Sequence, residues 1–514
     1  MNIWVVIAFV CYMAGMLIIG VSSARKNKNA DQYFLGGRNL GGWVAALSAQ
    51  ASDMSGWLLM GLPGCIYAFG ANQAWIAIGL FIGTVLNWIF VSGRLRRYTI
   101  KAGNAMTIPE YLSNRFRDKK NILMTISAIV IVVFFLVYAA SAFSAGGKLF
   151  ASVMKIDYHK ALTLGVVVIL IYTFIGGFIA VCNTDFIQGM LMLIGILTVP
   201  IVAVMLMGTG HIIPNLIDSG LEVDAKDFLN IFYENGKPIS AVSIASQLAW
   251  GLGYCGMPHI LVRFMAVRDE KELTKSRKIA IVWVLLSLAV ACIIGVIGRA
   301  YLYPTVLGIE NAEYENVYIE MIKKVFLSDT NLPFIGGVLL CGVLAAIMST
   351  ADSQLLVASS AVAKDLCGGV FFKKMTEKQI FAVSRITVLV IAVLAYIIAW
   401  NPNSSIMLLV SDAWAGLGSA FGPTILMSLY WKRTNLAGAA AGMISGGLTV
   451  IIWDYIKFIN MGGEMVTLGT YTGVYSLLIG FFVSLLFIVI FSLITPRATD
   501  EMIQEFNDVK NGNV

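Results

Sequence analysis

Apolar stretches of 18 to 30 residues recur along the whole chain, separated by short polar blocks, and each can cross a hydrocarbon core of roughly 30 Å. Backbone groups in lipid are satisfied only within helices or closed barrels, and runs this long and uniform do not suit the alternating strands of a barrel. The expected fold is an all-α polytopic membrane protein with about thirteen spans, at 3–21, 43–69, 74–93, 123–150, 161–181, 188–209, 240–262, 279–303, 331–363, 382–400, 406–430, 436–454 and 473–494. The first lacks a positive segment before it and is followed by Arg25, Lys26 and Lys28, so it reads as a retained helix and not as a signal peptide.

Threading these spans with the N-terminus outside gathers loops 22–42, 94–122, 263–278, 364–381 and 431–435 with the tail on one side. That side carries 26 of the 36 Lys and Arg, so the positive-inside rule puts it, and the C-terminus, in the cytoplasm. The outer loops at 210–239 and 304–330 are acidic, with Asp218, Glu222, Asp224, Asp227 and Glu234 in one and Glu310, Glu313, Glu315 and Glu320 in the other; they read as surface segments. The net charge of +7 is dispersed over loops instead of forming a nucleic-acid footprint. No hydrophilic stretch carries GxxxxGK[ST], which excludes a built-in ATP-driven pump. The seven cysteines show no CxxC or metal spacing, and they read as small packing residues.

Three stretches place polar chemistry where a plain anchor would avoid it. SAQASDMSGWLLMGLPG puts Asp53 about ten residues into its span, where a carboxylate must face a cavity, a partner or an ion. AAIMSTADSQ sets Ser349 and Ser353 on one helix face with Thr350 alongside, hard oxygens suited to sodium or to bonding the preceding turn. AWGLGYCGMPHILVRFM spaces Trp250 and Tyr254 four apart among Gly251, Gly253, Gly256 and Pro258, either an apolar wall with a phenolic handle or an interfacial belt. Tyr138 needs a partner for its hydroxyl, His259 reads as a satisfied structural histidine, and Asp185 reads as a cap or a second cation contact. No nucleophile–base pair, metal cluster or cofactor motif accompanies the carboxylates, so the chain does not read as an enzyme.

These motifs, with DQYFLGGRNLGGWVAALSA, LNWIFVSGRLR, IYTFIGGFIAV and DAWAGLGSAFGP in the same order, resemble bacterial sodium/proline symporters of the sodium/solute symporter family over nearly the whole chain. The resemblance implies a LeuT-like core of two inverted five-helix repeats, 43–209 and 240–430, separated by an external loop at 210–239. Around it lie a first helix and cytoplasmic loop (1–42), two peripheral helices (431–496) and a cytoplasmic tail (497–514). It implies sodium ligation by Ala51, Met54, Ala346, Ser349 and Thr350, and a substrate site of Ser55, Gly56, Trp57, Tyr138, Trp250, Tyr254 and Pro258. Arg38, Asp53 and Asp185 would serve coupling or gating. L-proline import driven by sodium across the plasma membrane, with no cofactor and no obligatory protein partner, is the expected activity; a sodium-coupled carrier for another amino acid or pantothenate is the alternative. Gln50, standing where the family commonly has glycine, adds bulk beside the second span.

Overall fold

The computed structural model describes residues 2–24, 30–175, 177–221, 223–372 and 375–513. Arg25, Lys26, Lys28 and Glu222 lie outside the described residues. The chain is helical almost throughout: α1 (Ile3–Ala24), α2 (Gly42–Asp53), α3 (Trp57–Phe69), α4 (Ala71–Lys101), α5 (Ile108–Arg115), α6 (Ile122–Met154), α7 (Tyr158–Ile175), α8 (Phe178–Met207), α9 (Ala241–Leu248), α10 (Pro258–Ala266), α11 (Glu270–Leu302), α12 (Pro333–Phe371), α13 (Glu377–Ile398), α14 (Ile406–Tyr430), α15 (Leu436–Tyr455), α16 (Ser476–Ile494) and α17 (Asp500–Asn511). Two small antiparallel hairpins, Tyr233–Glu234 with Lys237–Pro238 and Lys457–Met461 with Glu464–Thr467, are the strands.

The expected count of about thirteen spans is corrected: among the described residues nine helices are long and apolar enough to cross a membrane. The difference falls on four of the expected spans. Span 43–69 is interrupted between α2 and α3, and span 240–262 is divided into α9, a 3₁₀ stretch at Ala249–Gly256, and α10. Span 161–181 is divided between α7, which ends at Ile175, and α8, which starts at Phe178, and α14 is continuous but diluted by Gly416, Gly418, Ser419 and Gly422. Hydropathy averages side chains and is blind to whether the backbone beneath them is one helix.

Helix starts follow from capping. Thr107, Asp269, Thr376 and Asn435 each accept a hydrogen bond from a backbone N–H of the first turn of α5, α11, α13 and α15. Helix α12 is the axis of the bundle, with its span 83% buried against 28–50% for the others, and it packs against α1, α6, α8 and α2. Outward faces of the remaining helices present large apolar side chains such as Ile171, Ile194, Met205, Val282 and Leu486, as lipid contact requires.

The loops that collect the basic residues meet on one face. Arg38 donates to the Met265 carbonyl (2.7 Å), the Ala105 carbonyl (2.8 Å) and Asn104 (2.8 Å), binding the segment before α2 to the segment after α4 and to the last turn of α10. Helix α17 lies against the same face, with Met502, Phe506 and Val509 buried, Lys101 paired to Asp508 at 3.0 Å and Arg117 paired to Glu505. On the opposite face Glu315, expected in a surface loop, is fully buried. It accepts from Lys148 of α6 (2.7 Å), the Ser405 hydroxyl (2.8 Å) and the amides of Ile406 and Met407 (2.9 and 3.0 Å), so one carboxylate caps α14 and ties α6 to it.

Candidate functional site

The centre of the molecule is built on the interruption after α2. Met54 leaves helical geometry at φ −85° and ψ 79°, and the Ser55 amide bonds to the Asp53 carbonyl at 3.0 Å instead of reaching back four residues. The Ala51 carbonyl is thereby released from the helical ladder and turns to α12, where Ser349 donates to it at 2.7 Å and Thr350 at 3.3 Å. Ser349 also lies 3.2 Å from the Ala346 carbonyl. Ala51, Ala346, Ser349 and Thr350 thus present backbone and hydroxyl oxygens to one point between α2 and α12, with Met54 at the break. Such neutral oxygens suit a hard monovalent cation. Among the described residues no His, Cys, Asp or Glu cluster suited to a metal ion occurs.

Gly56 is required by space: a Cβ there would lie 2.8 Å from that of Ala145 on α6. The break therefore sits directly against α6, which brings Tyr138 to Ser55 and Trp57. Asp53 accepts from the Tyr254 hydroxyl at 2.7 Å, and its carbonyl accepts from the Trp57 indole at 2.9 Å. Tyr254 packs edge-on to Trp414, whose indole donates to the Trp250 carbonyl at 2.8 Å. Trp250 itself is buried and stacks on Tyr475 at 5.1 Å, which removes the interfacial-belt alternative. The Tyr138 hydroxyl and Asp53 Oδ1 are both buried and have no hydrogen-bond partner among the described residues. A buried hydroxyl and a buried carboxylate oxygen left without partners are atoms that a small polar solute would satisfy.

His259 departs from the satisfied structural reading: both ring nitrogens lack a partner among the described residues, and the ring packs edge-on to Phe135 and Tyr138. Pro258 opens α10 and lines a narrow cavity on the side of the Arg38 network. The Gln50 side chain is buried with its oxygen unpaired.

Asp185 on α8 accepts from Ser48 (2.7 Å), Ser52 (3.1 Å) and the Arg263 guanidinium (3.3 Å). Arg263 also donates to Ser353 at 2.6 Å and to the His259 carbonyl at 2.7 Å, and both charged groups are fully buried. Sequence reasoning missed Arg263 because span 240–262 ends one residue earlier; α10 continues to Ala266, and an arginine inside HILVRFM was the available signal.

A family model described as "Sodium:solute symporter family" matches residues 33–446. The "Osmoregulated proline transporter OpuE" of Bacillus subtilis is 44% identical over 499 residues, covering 97% of this chain and 96% of that protein. The "Sodium/proline symporter" of Escherichia coli is 42% identical over 502 residues, covering 97% and 95%.

The chain belongs to the sodium:solute symporter family.

As a member of that family it is a polytopic protein of the plasma membrane and a carrier rather than an enzyme. In fold this symporter is similar to a Na⁺-coupled sialic acid symporter solved in a substrate-bound outward-open state, with a TM-score of 0.76 at 18% identity over 97% of this chain and 99% of that one. It is also similar to MHP1, a nucleobase-cation-symport-1 family transporter, with a TM-score of 0.53 at 12% identity over 93% and 98%. The symporter's broken helices therefore sit within a packing shared with other cation-coupled carriers.

Proposed function

We propose that this symporter imports L-proline together with sodium by alternating access, using no cofactor and no obligatory protein partner. The observation that carries the reading is the released Ala51 carbonyl facing Ser349 and Thr350, beside the unpaired Tyr138 hydroxyl and Asp53 oxygen. Relatives named as proline transporters at 42–44% identity over nearly the whole chain support proline as the cargo.

Sodium occupies the oxygens of Ala51, Met54, Ala346, Ser349 and Thr350. The cation takes the place of the hydroxyl donors on the Ala51 carbonyl and draws α2 and α12 together at the break. Proline carries a carboxylate, a secondary ammonium and an apolar ring. Ser55, Gly56, Trp57, Tyr138, Trp250, Tyr254 and Pro258 form its site, with Tyr138 a free donor for the carboxylate and the aromatics a wall for the ring. Asp53 couples the two sites, since its carboxylate holds Tyr254 while its neighbours Ala51 and Met54 hold the ion. Asp185 and Arg38 act in gating, the first through Arg263 and the second through the tie it makes at the basic face.

Residues 43–209 and 240–430 act as the two inverted repeats, each beginning with an interrupted helix; 210–239 is the external loop, and 1–42, 431–496 and 497–514 lie around the core. The N-terminus is outside and the C-terminus cytoplasmic, a reading supported by the gathering of basic loops and α17 on one face. The Glu315 tie then closes the outer side and the Arg38 tie the inner side, and transport alternates their release. One charge crossing about 100 mV supplies roughly 2.3 kcal/mol, and a tenfold sodium gradient adds about 1.4 kcal/mol. Together they sustain a solute gradient of several hundredfold at one-to-one coupling.

Purified protein in sealed vesicles is expected to accumulate labelled proline when sodium is imposed outside, and far less with a proton gradient alone. Uptake indifferent to sodium would overturn the coupling. Competition by another amino acid or pantothenate at lower concentration than proline would reassign the cargo.

A further inference from the structure

The carboxylate of Asp365 has no part in the sites above, yet it is buried, 1% exposed, at the cytoplasmic end of α12. Its Oδ1 accepts from Thr107 at 2.8 Å, and its Oδ2 has no partner among the described residues. The adjacent Lys364 does not serve it by hydrogen bond, because its ammonium pairs with Glu110 at 2.6 Å and those two charges offset each other. A buried carboxylate oxygen left unpaired costs several kcal/mol unless the group is protonated or something cationic or hydrated visits it.

The helix is shaped to aim that group. Through Ser360 α12 is α-helical, and from Ala361 to Phe371 it is π-wound. Five residues separate Ser360 from Asp365, about 1.4 turns of α-helix, which would set them on opposite faces. In the wider π winding, where bonds close to i+5, the same five residues make roughly one turn and return Asp365 to the face of Ser360. That face is the one bearing Ser349 and Ser353 higher on α12. Asp365, Ser360 and Thr107 line a narrow, otherwise mostly apolar cavity with Pro258, the one residue of the proposed proline site that borders it. Its free volume is about 20 Å³, room for one or two waters. A partly hydrated small cation fits that space, and a proline molecule does not.

We infer that Asp365, with the Thr107 and Ser360 hydroxyls, forms a second station for a sodium ion, on the cytoplasmic release route and separate from the site at Ala51 and Ser349. It rests on the symport reading and the orientation given with it. After the inner side opens, the ion leaves a neutral oxygen site for a charged one nearer the cytoplasm, and the station is filled from the cytoplasm when internal sodium rises. Its signature is therefore sided.

In vesicles of uniform orientation, proline efflux is measured against internal sodium and proline uptake against external sodium, with potassium as the control cation. Asp365→Asn is expected to raise the internal sodium concentration for half-maximal efflux about tenfold while leaving the external one within twofold, and Asp365→Glu to retain the native internal value. An unmoved internal value, or equal shifts on both sides, would overturn the station. Where Asp365→Asn does not insert, Thr107→Val is measured in the same way; it keeps the carboxylate, is expected to raise the internal value about threefold, and overturns the station if it does not. Wild-type vesicles that show no sodium-driven uptake would instead overturn the symport reading, and this one with it.

Discussion

Thr350→Ala removes one of the two hydroxyls that reach the Ala51 carbonyl and leaves the helix around it intact. Losing one oxygen ligand worth about 1.4 kcal/mol raises the sodium needed for half-maximal uptake about tenfold, with membrane insertion unchanged; an unaltered sodium dependence would remove Thr350 from the site. Tyr254→Phe takes from Asp53 the side-chain donor it has among the described residues, so proline uptake falls at least tenfold in proteoliposome assays. Arg263 and Asp185 make a different kind of pair. Arg263→Met strands a buried carboxylate and is expected to cost about 3–5 kcal/mol, read as lost thermal stability in detergent, whereas Arg263→Met with Asp185→Asn costs less than the first change alone. Spacing and chemistry made Ser349, Thr350 and Tyr254 legible as candidates, and the resemblance gave each a role. It could not reveal that Ala51 is released by a change of hydrogen-bond partner at Ser55, because that depends on two dihedral angles at Met54 and on no side chain.

Elements were legible as apolar runs and illegible as continuous helices. The stretch at 43–69 contains the glycines and serines that permit an interruption, yet the same residues serve close packing equally well, as Gly56 does against Ala145. The 304–330 segment misled for the opposite reason. Its acidic composition suits a solvated loop, and only the folded arrangement brings Lys148 and the bare amides of α14 to Glu315. Glu315→Gln weakens the cap on α14 and leaves Lys148 buried without a counter-charge. It is expected to slow transport and to make the outer side more accessible to a thiol probe placed at Ser405→Cys; unchanged labelling would mean that the tie does not hold that side closed.

At the scale of the whole molecule, the sidedness read from Lys and Arg becomes a measurable geometry. In a cysteine-free background, Asn513→Cys should react with an impermeant reagent only after the membrane is opened, and Lys155→Cys should react in intact cells; the reverse pattern would invert the carrier and its release route. Charge counting predicts this division from the loops, and because the side of each loop follows from the number of spans before it, the labelling pattern tests the sidedness independently of hydropathy. Where α4 crosses the end of α9 and the 3₁₀ stretch, Gly79 meets the Leu248 backbone and Gly83 meets Gly251, with no room for a Cβ at any of the three glycines. Three glycines in that seam leave few rotamers to rearrange where the backbones touch. The Asn87 amide donates across the same seam to the Tyr254 carbonyl at 3.0 Å, so the two segments are held at one close spacing and a shift of one must carry the other with it.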